Sequence, residues 1–190
     1  NRDRMWHYTE GVQNWDPIWP GHGIRILPGP SSMWFDAIGR RLPNPFLPGY
    51  DTLGTLRHLR TDPDISEYDH SWFILTQKII EKEFALSGSE QNPDITNGDK
   101  KEFLKDRLFG KGAPGPVEAF KKYGADFVVA DNLEDLVAKM NGLTDAPPLD
   151  IEMIREQVDA RDSQVDNAYA KDAQVQGMRN ARRYIGDRVG

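Results

Sequence analysis

The chain has 190 residues, 38% of them apolar and 28% charged, with a net charge of −6 and no cysteine. That length suits one domain able to bury a core without metal or disulfide staples, and the lack of cysteine removes disulfides, thiolate metal sites and a cysteine nucleophile. No run approaches the about 18 apolar residues of a membrane span, and an acidic middle, 23 acidic against 12 basic side chains over residues 61–170, argues against a nucleic-acid footprint.

From Asn1 to about Tyr50 the chain carries seven Pro and six Gly, which excludes long helices. Within it, Trp15 to Asp36 (WDPIWPGHGIRILPGPSSMWFD) concentrates three of the five Trp and four of the thirteen Pro. Large aromatics at that density either build a core or face a ligand, and the expectation is a wall of a binding cleft. Gly23 to Leu27 and Ser32 to Asp36 read as short strands, the second turning through Ala37-Ile38-Gly39-Arg40 into Arg41-Leu42 as a small hairpin.

Asp51 is placed to cap a helix with Leu53, Leu56 and Leu59 on or near one face. Trp72 to Leu75 suits a buried strand and Gln77 to Leu86 a helix, with Ile80 and Phe84 one turn apart. Lys100 to Phe109 reads as helix, closed by the breaker GKGAPGP. Val117 to Tyr123 is a short helix and Phe127 to Ala130 a buried strand. Asn132 caps a helix over Leu133, Leu136, Val137 and Met140, with Asp135 at the capping-box position and Gly142 ending it. Asp150 caps another, carrying Ile151, Ile154, Val158 and Val165. The basic segment from Asp172 to Arg183 is helix-compatible and reads as a solvated face.

Most motif matches fail on context. Gly110-Lys-Gly112-Ala-Pro-Gly115 spells G-x-G-x-x-G, yet it follows a predicted helix and has Pro114 and Pro116 where a phosphate-binding turn needs N–H groups. Asp62-x-Asp64-x-Ser66 opens like a calcium loop but has Phe73 at position twelve instead of Glu. The four His show no zinc spacing, so no metal site is expected. His22, between two Gly and beside Trp19, reads as a loop His packing on that ring or as a ligand contact; Arg25 reads as an exposed strand charge or an anion clamp.

FVVADNLEDLVAKM (residues 127–140) resembles a segment of the fumarate reductase and 3-ketosteroid dehydrogenase flavoproteins, and SSMWFDAIGRRLP resembles their strand, turn and G-x-R element, here Gly39 and Arg41. With MWHYTEG, DTLGTLRH, HSWFILTQKIIEKEFALSGSEQNP and KDAQV, nearly the whole chain resembles bacterial FAD-binding dehydrogenases of the ketosteroid-dehydrogenase-like group. The resemblance implies a two-part enzyme, a Rossmann-type FAD domain with an inserted cap closing over flavin and substrate. It matches residues 1–190 to the cap alone. An α+β capping domain is therefore expected, a small twisted sheet with several helices, excised from a longer cytoplasmic enzyme that lacks a membrane span. The missing initiator Met and the absent nucleotide fingerprint fit that picture.

On this resemblance FAD belongs to the full-length parent and none to the fragment. The partners are the parent's FAD-binding domain and a small carbonyl substrate, from which two hydrogens leave adjacent carbons. Leu42-Pro43-Asn44-Pro45 stands where fumarate-reducing members carry an acid, which favours a bulkier ketone over fumarate. Steroid-type members use a Tyr as proton acceptor and fumarate-type members an Arg; neither is assigned to a position of this chain, and the catalytic group stays unassigned. The substrate-facing candidates are Tyr8, Trp19, His22, Arg25 and Tyr50, each of which also has a structural reading. The alternatives are a stand-alone binding module or the cap of a fumarate-reductase-type enoate reductase.

Overall fold

Seven consecutive residues, Ser31 to Ala37, are buried, and the computed structural model is built around them. It describes residues 25–27, 30–48, 50–83, 85–87, 112–113 and 115–181. Strand β2 (Met33–Phe35) pairs antiparallel with β3 (Trp72–Ile74), setting Met33 opposite Ile74, Trp34 opposite Phe73 and Phe35 opposite Trp72. Alternation along β2 sends Trp34 to one side, where its ring stacks on Phe73 at 4.7 Å and its Nε1–H donates to Ser71 Oγ at 3.0 Å. Met33 and Phe35 face the other way, onto Val137, Met140, Leu149 and Ile154, and together they form the core.

The turn after β2 is the predicted one. Asp36 accepts from the N–H groups of Ile38 (3.1 Å) and Arg40 (2.9 Å), and Leu42 N–H donates to Trp34 O at 2.9 Å, closing the hairpin. Gly39 sits at φ +86°, and a Cβ there would stand 3.2 Å from Met153 Cε and 3.3 Å from Leu149 Cδ2. Both backbone conformation and close approach therefore call for glycine.

Strand β1 (Arg25–Leu27) pairs antiparallel with β4 (Ala85–Ser87) as a separate two-stranded sheet. That pairing corrects the expected helix from Gln77 to Leu86: α2 is Gln77–Glu83, and Ala85 and Leu86 lie in the strand. The apolar period favours helix there, but the backbone of 85–87 is taken by a strand about 60 positions upstream, and tertiary pairing wins.

Helix α1 (Thr52–Thr61) is capped by Asp51, which accepts from Gly54 N–H at 2.8 Å. Its inward residue is Thr55, fully buried, whereas Leu53 is 48% exposed, so the apolar face is rotated from the one expected. Helix α3 is Gly115–Tyr123, with Val117 buried, α4 is Leu133–Asn141, α5 is Ile151–Asp162 and α6 is Ala173–Ala181. The caps are as expected: Asn132 Oδ1 accepts from Asp135 N–H at 2.8 Å, and Asp150 accepts from Glu152 and Met153 N–H. Arg155 bridges Glu152 and Glu134, joining α5 to α4 outside the core that Ile154 and Val137 fill.

Three other expectations change. Phe127–Ala130 is not a strand: Val129 is exposed, and its carbonyl accepts from Lys139 Nζ at 2.6 Å. Val165 falls in the turn after α5 and is exposed, because the helix stops at Asp162. Arg179 does not face solvent freely; it donates to Val165 O at 2.6 Å and fastens α6 to that turn. The expected helix over Lys100 to Phe109 and the end of the basic tail lie outside the described residues. Among the described residues no helix is long and apolar enough to cross a membrane.

Candidate functional site

The Trp-rich stretch enters the described core through Pro30, Ser31 and Ser32, and these residues are held by side chains from three helices. Ser31 N–H donates to Glu83 Oε2 at 2.9 Å and its hydroxyl to Glu83 Oε1 at 2.7 Å. On the other side, the Ser31 carbonyl accepts from an Arg161 guanidinium nitrogen at 2.9 Å. Gln174 Nε2 donates to Pro30 O at 2.7 Å and to Ser32 O at 2.6 Å. Met178 Sδ packs on the Ser31 hydroxyl. A non-regular segment at this depth needs such partners, since unpaired buried backbone groups cost about 1–3 kcal/mol each.

Gln174 is 2% exposed and fully engaged: its two amide hydrogens hold the two carbonyls, and its oxygen accepts from Arg41 at 2.8 Å. Arg41 in turn forks onto Asp172, at 2.6 Å and 3.3 Å. Burial disfavours the Asp172 carboxylate, yet the Arg41 hydrogen bond and the Val175 and Gln174 N–H groups outweigh it and hold its pKa below the usual value. Gln157 completes the ring, accepting from Arg41 N–H at 2.6 Å and donating to Gly39 O and Met153 O at 2.9 Å.

Two motifs far apart in sequence, G-x-R at 39–41 and KDAQV at 171–175, thus meet in one clamp. Arg161, which has the look of a solvated base on α5, is mostly buried; its Nε–H has no acceptor among the described residues. Glu83 and Gln157 likewise carry no local signature, because their partners lie 52 and 116 positions away.

Of the substrate-facing candidates, Tyr50 is described. It is 60% exposed, and its hydroxyl lies where a side chain at Gly177 would begin, 2.3 Å from an ideal Cβ. Arg25 is described by its backbone in β1, opposite Ser87. Tyr8, Trp19 and His22 lie outside the described residues. Among the described residues no group of His, Asp and Glu is arranged to hold a metal ion.

Chemically, the clamp is arranged for positioning: its carboxylates and the Gln174 amide are engaged in hydrogen bonds, and the Ser31 hydroxyl donates to the Glu83 carboxylate.

The whole chain is similar to known proteins. A KsdD-like steroid dehydrogenase of Mycobacterium tuberculosis is 57% identical over 190 residues, all of this chain and 33% of that protein. One from Mycolicibacterium smegmatis is 56% identical over 188 residues, 99% of this chain and 33% of that protein. The chain thus spans about a third of the length of these relatives. No solved structure matches it significantly. The family described as FAD binding domain matches residues 1–189, and the chain belongs to that family.

Proposed function

We propose that the chain is the capping, substrate-binding part of an FAD-dependent oxidoreductase that removes two hydrogens, one from each of two adjacent carbons beside the carbonyl of a steroid-like ketone. The observation that carries this reading is the 57% identity, along all 190 residues, to relatives described as KsdD-like steroid dehydrogenases. In this reading the flavin supplies the redox chemistry, while residues of this chain bind and orient the ketone and exclude water.

The described residues do not fit a dinucleotide cradle. Their strands pair antiparallel, whereas such a cradle is a parallel strand, glycine turn and helix. The one G-x-G-x-x-G match ends at Gly115, the first residue of α3, with prolines on both sides that lack the N–H a phosphate needs. That supports the cap as the role of this portion. Engagement of both terminal nitrogens of Arg41 by Asp172 and Gln174 supports a structural role for that guanidinium.

The test is to purify the full-length protein with FAD and assay 3-ketosteroids beside small enoates. Flavin reduction by saturated 3-ketosteroids and no turnover of enoates is expected. Enoate reduction without steroid oxidation would overturn the reading.

A further inference from the structure

The β1–β4 ribbon shares no strand with the β2–β3 sheet, although β1 ends at Leu27 and β2 begins at Met33. Among the described residues it is a pair of strands only, Arg25 to Leu27 set against Ser87 to Ala85. A ribbon of that size is marginal by itself in water, so whatever attaches it decides whether it stays in place.

Its ladder does not run on into the core. Pro28 and Pro30 have no N–H to donate, and the pairing stops at Leu27 and Ala85. Below that point the two chains are joined by a side chain instead: Ser31 N–H and O–H both donate to the Glu83 carboxylate, at 2.9 Å and 2.7 Å. Phe84 alone separates Glu83 from Ala85, so this bond sits at the root of the ribbon.

The root is gripped by helix ends. Glu83 is the last residue of α2, Arg161 stands in the last turn of α5 and Gln174 in the first turn of α6. Arg161 and Gln174 hold the carbonyls of Pro30, Ser31 and Ser32. These contacts are hydrogen bonds, which water replaces at small net cost, unlike the apolar packing of Met33 and Phe35 just downstream. The closed arrangement also carries a cost of its own, because Arg161 Nε is buried without an acceptor among the described residues and opening would hydrate it. A joint of polar bonds with one donor unsatisfied, next to an apolar core, is where a fold opens locally while the rest stays intact.

We infer that the β1–β4 ribbon is a hinged strap, clasped at its root by Glu83, Arg161 and Gln174, which opens as a unit while the core of β2, β3, α4 and α5 stays folded. Opening frees the chain upstream of β1, the Trp-rich stretch included, from its anchor at Ser31. This device does not depend on the substrate class proposed above.

The closing experiment is native-state proteolysis of the full-length, FAD-loaded protein by trypsin, in wild type, Glu83→Gln and Glu83→Ala. Mass spectrometry follows cleavage after Arg25, in the ribbon, and after Arg155, inside α5, each rate divided by that of the same bond in urea-unfolded protein. In wild type the Arg25 bond should be cut more than about tenfold faster than the Arg155 bond, since only the second requires the core to unfold. Glu83→Ala should raise the Arg25 rate a further roughly tenfold and leave the Arg155 rate unchanged, and Glu83→Gln, which keeps an acceptor, should raise it less. Equal rates at the two bonds in wild type, or rates that rise together in Glu83→Ala, overturn the strap. An Arg25 rate unmoved by Glu83→Ala overturns the clasp. Should Glu83→Ala not fold, the wild-type ratio decides the strap and Glu83→Gln the clasp, an unmoved Arg25 rate there overturning it.

Discussion

Arg41 and Asp172 form a two-pronged ion pair, at 2.6 Å and 3.3 Å, between side chains 131 positions apart, with Arg41 19% exposed and Asp172 15%. It joins the end of the β2 hairpin to the start of α6, so the pair sets how the two ends of the described chain dock. Asp172→Asn would leave the guanidinium without its counter-charge and should cost about 2–4 kcal/mol, read by chemical denaturation at neutral pH. A loss under 0.5 kcal/mol, the range of about zero to 1 kcal/mol for exposed pairs, would show that the pair is screened by solvent.

The same pair sets an acid limb of stability. The folded-state pKa of Asp172 is lowered, so its contribution is present above the ordinary value of 3.8 and is lost as pH falls through the lower, folded value. The stability gap between wild type and Asp172→Asn should therefore be constant from neutral pH down to about pH 5 and narrow below about pH 4. Denaturation curves across pH 2–7 (roughly the carboxylate range) check it; a gap that widens on acidification reverses the sign.

Replacing Gln174 by leucine removes two donors and one acceptor from a site 2% exposed. A loss of about 2–4 kcal/mol is expected from the stranded Pro30 and Ser32 carbonyls. Tryptic cleavage after Arg25 should also speed up, since β1 lies just upstream of the freed residues. Unchanged proteolysis with lowered Tm would confine the effect to the core side.

Gly39→Ala should destabilise by about 1–3 kcal/mol, because an alanine at φ +86° is strained and its methyl meets Met153, Leu149 and Ile154 at 3.2–3.5 Å. Thermal unfolding reads this directly, and a companion Met153→Ala change should relieve only the steric part.

Residues 1–190 expressed alone should elute from gel filtration without flavin absorbance, given the antiparallel strands and the proline-flanked glycines. A yellow, flavin-retaining fraction would place a cofactor site within this chain and remove the cap reading.

What was legible in the sequence was local. Asp51, Asn132 and Asp150 cap their helices through N–H groups two or three residues on, and the Asp36 to Arg41 turn is closed within six positions. What was misread depends on distant chain. Ala85 and Leu86 follow a helical period until Arg25–Leu27 claims them, and Phe127–Ala130 has strand composition yet forms no strand. Arg161 and Glu83 are charged residues on helices, a pattern that ordinarily means solvent, and only the fold turns them inward onto Ser31. Leu53 and Thr55 exchange roles because the Thr55 hydroxyl bonds back to Asp51 O at 2.6 Å, which lets a polar side chain take the inner face.

The two polar ends of Ser31 are held by groups of opposite charge from different helices, the carboxylate of Glu83 at its N–H and the guanidinium of Arg161 at its carbonyl. Its amide hydrogen is held by the Glu83 side chain rather than by a ladder or helix of its own, so its exchange with solvent reports on release of that carboxylate. That single proton is therefore a built-in gauge of docking: watching it under substrate or cofactor would tell whether the three helices move as one body or release the aromatic segment separately.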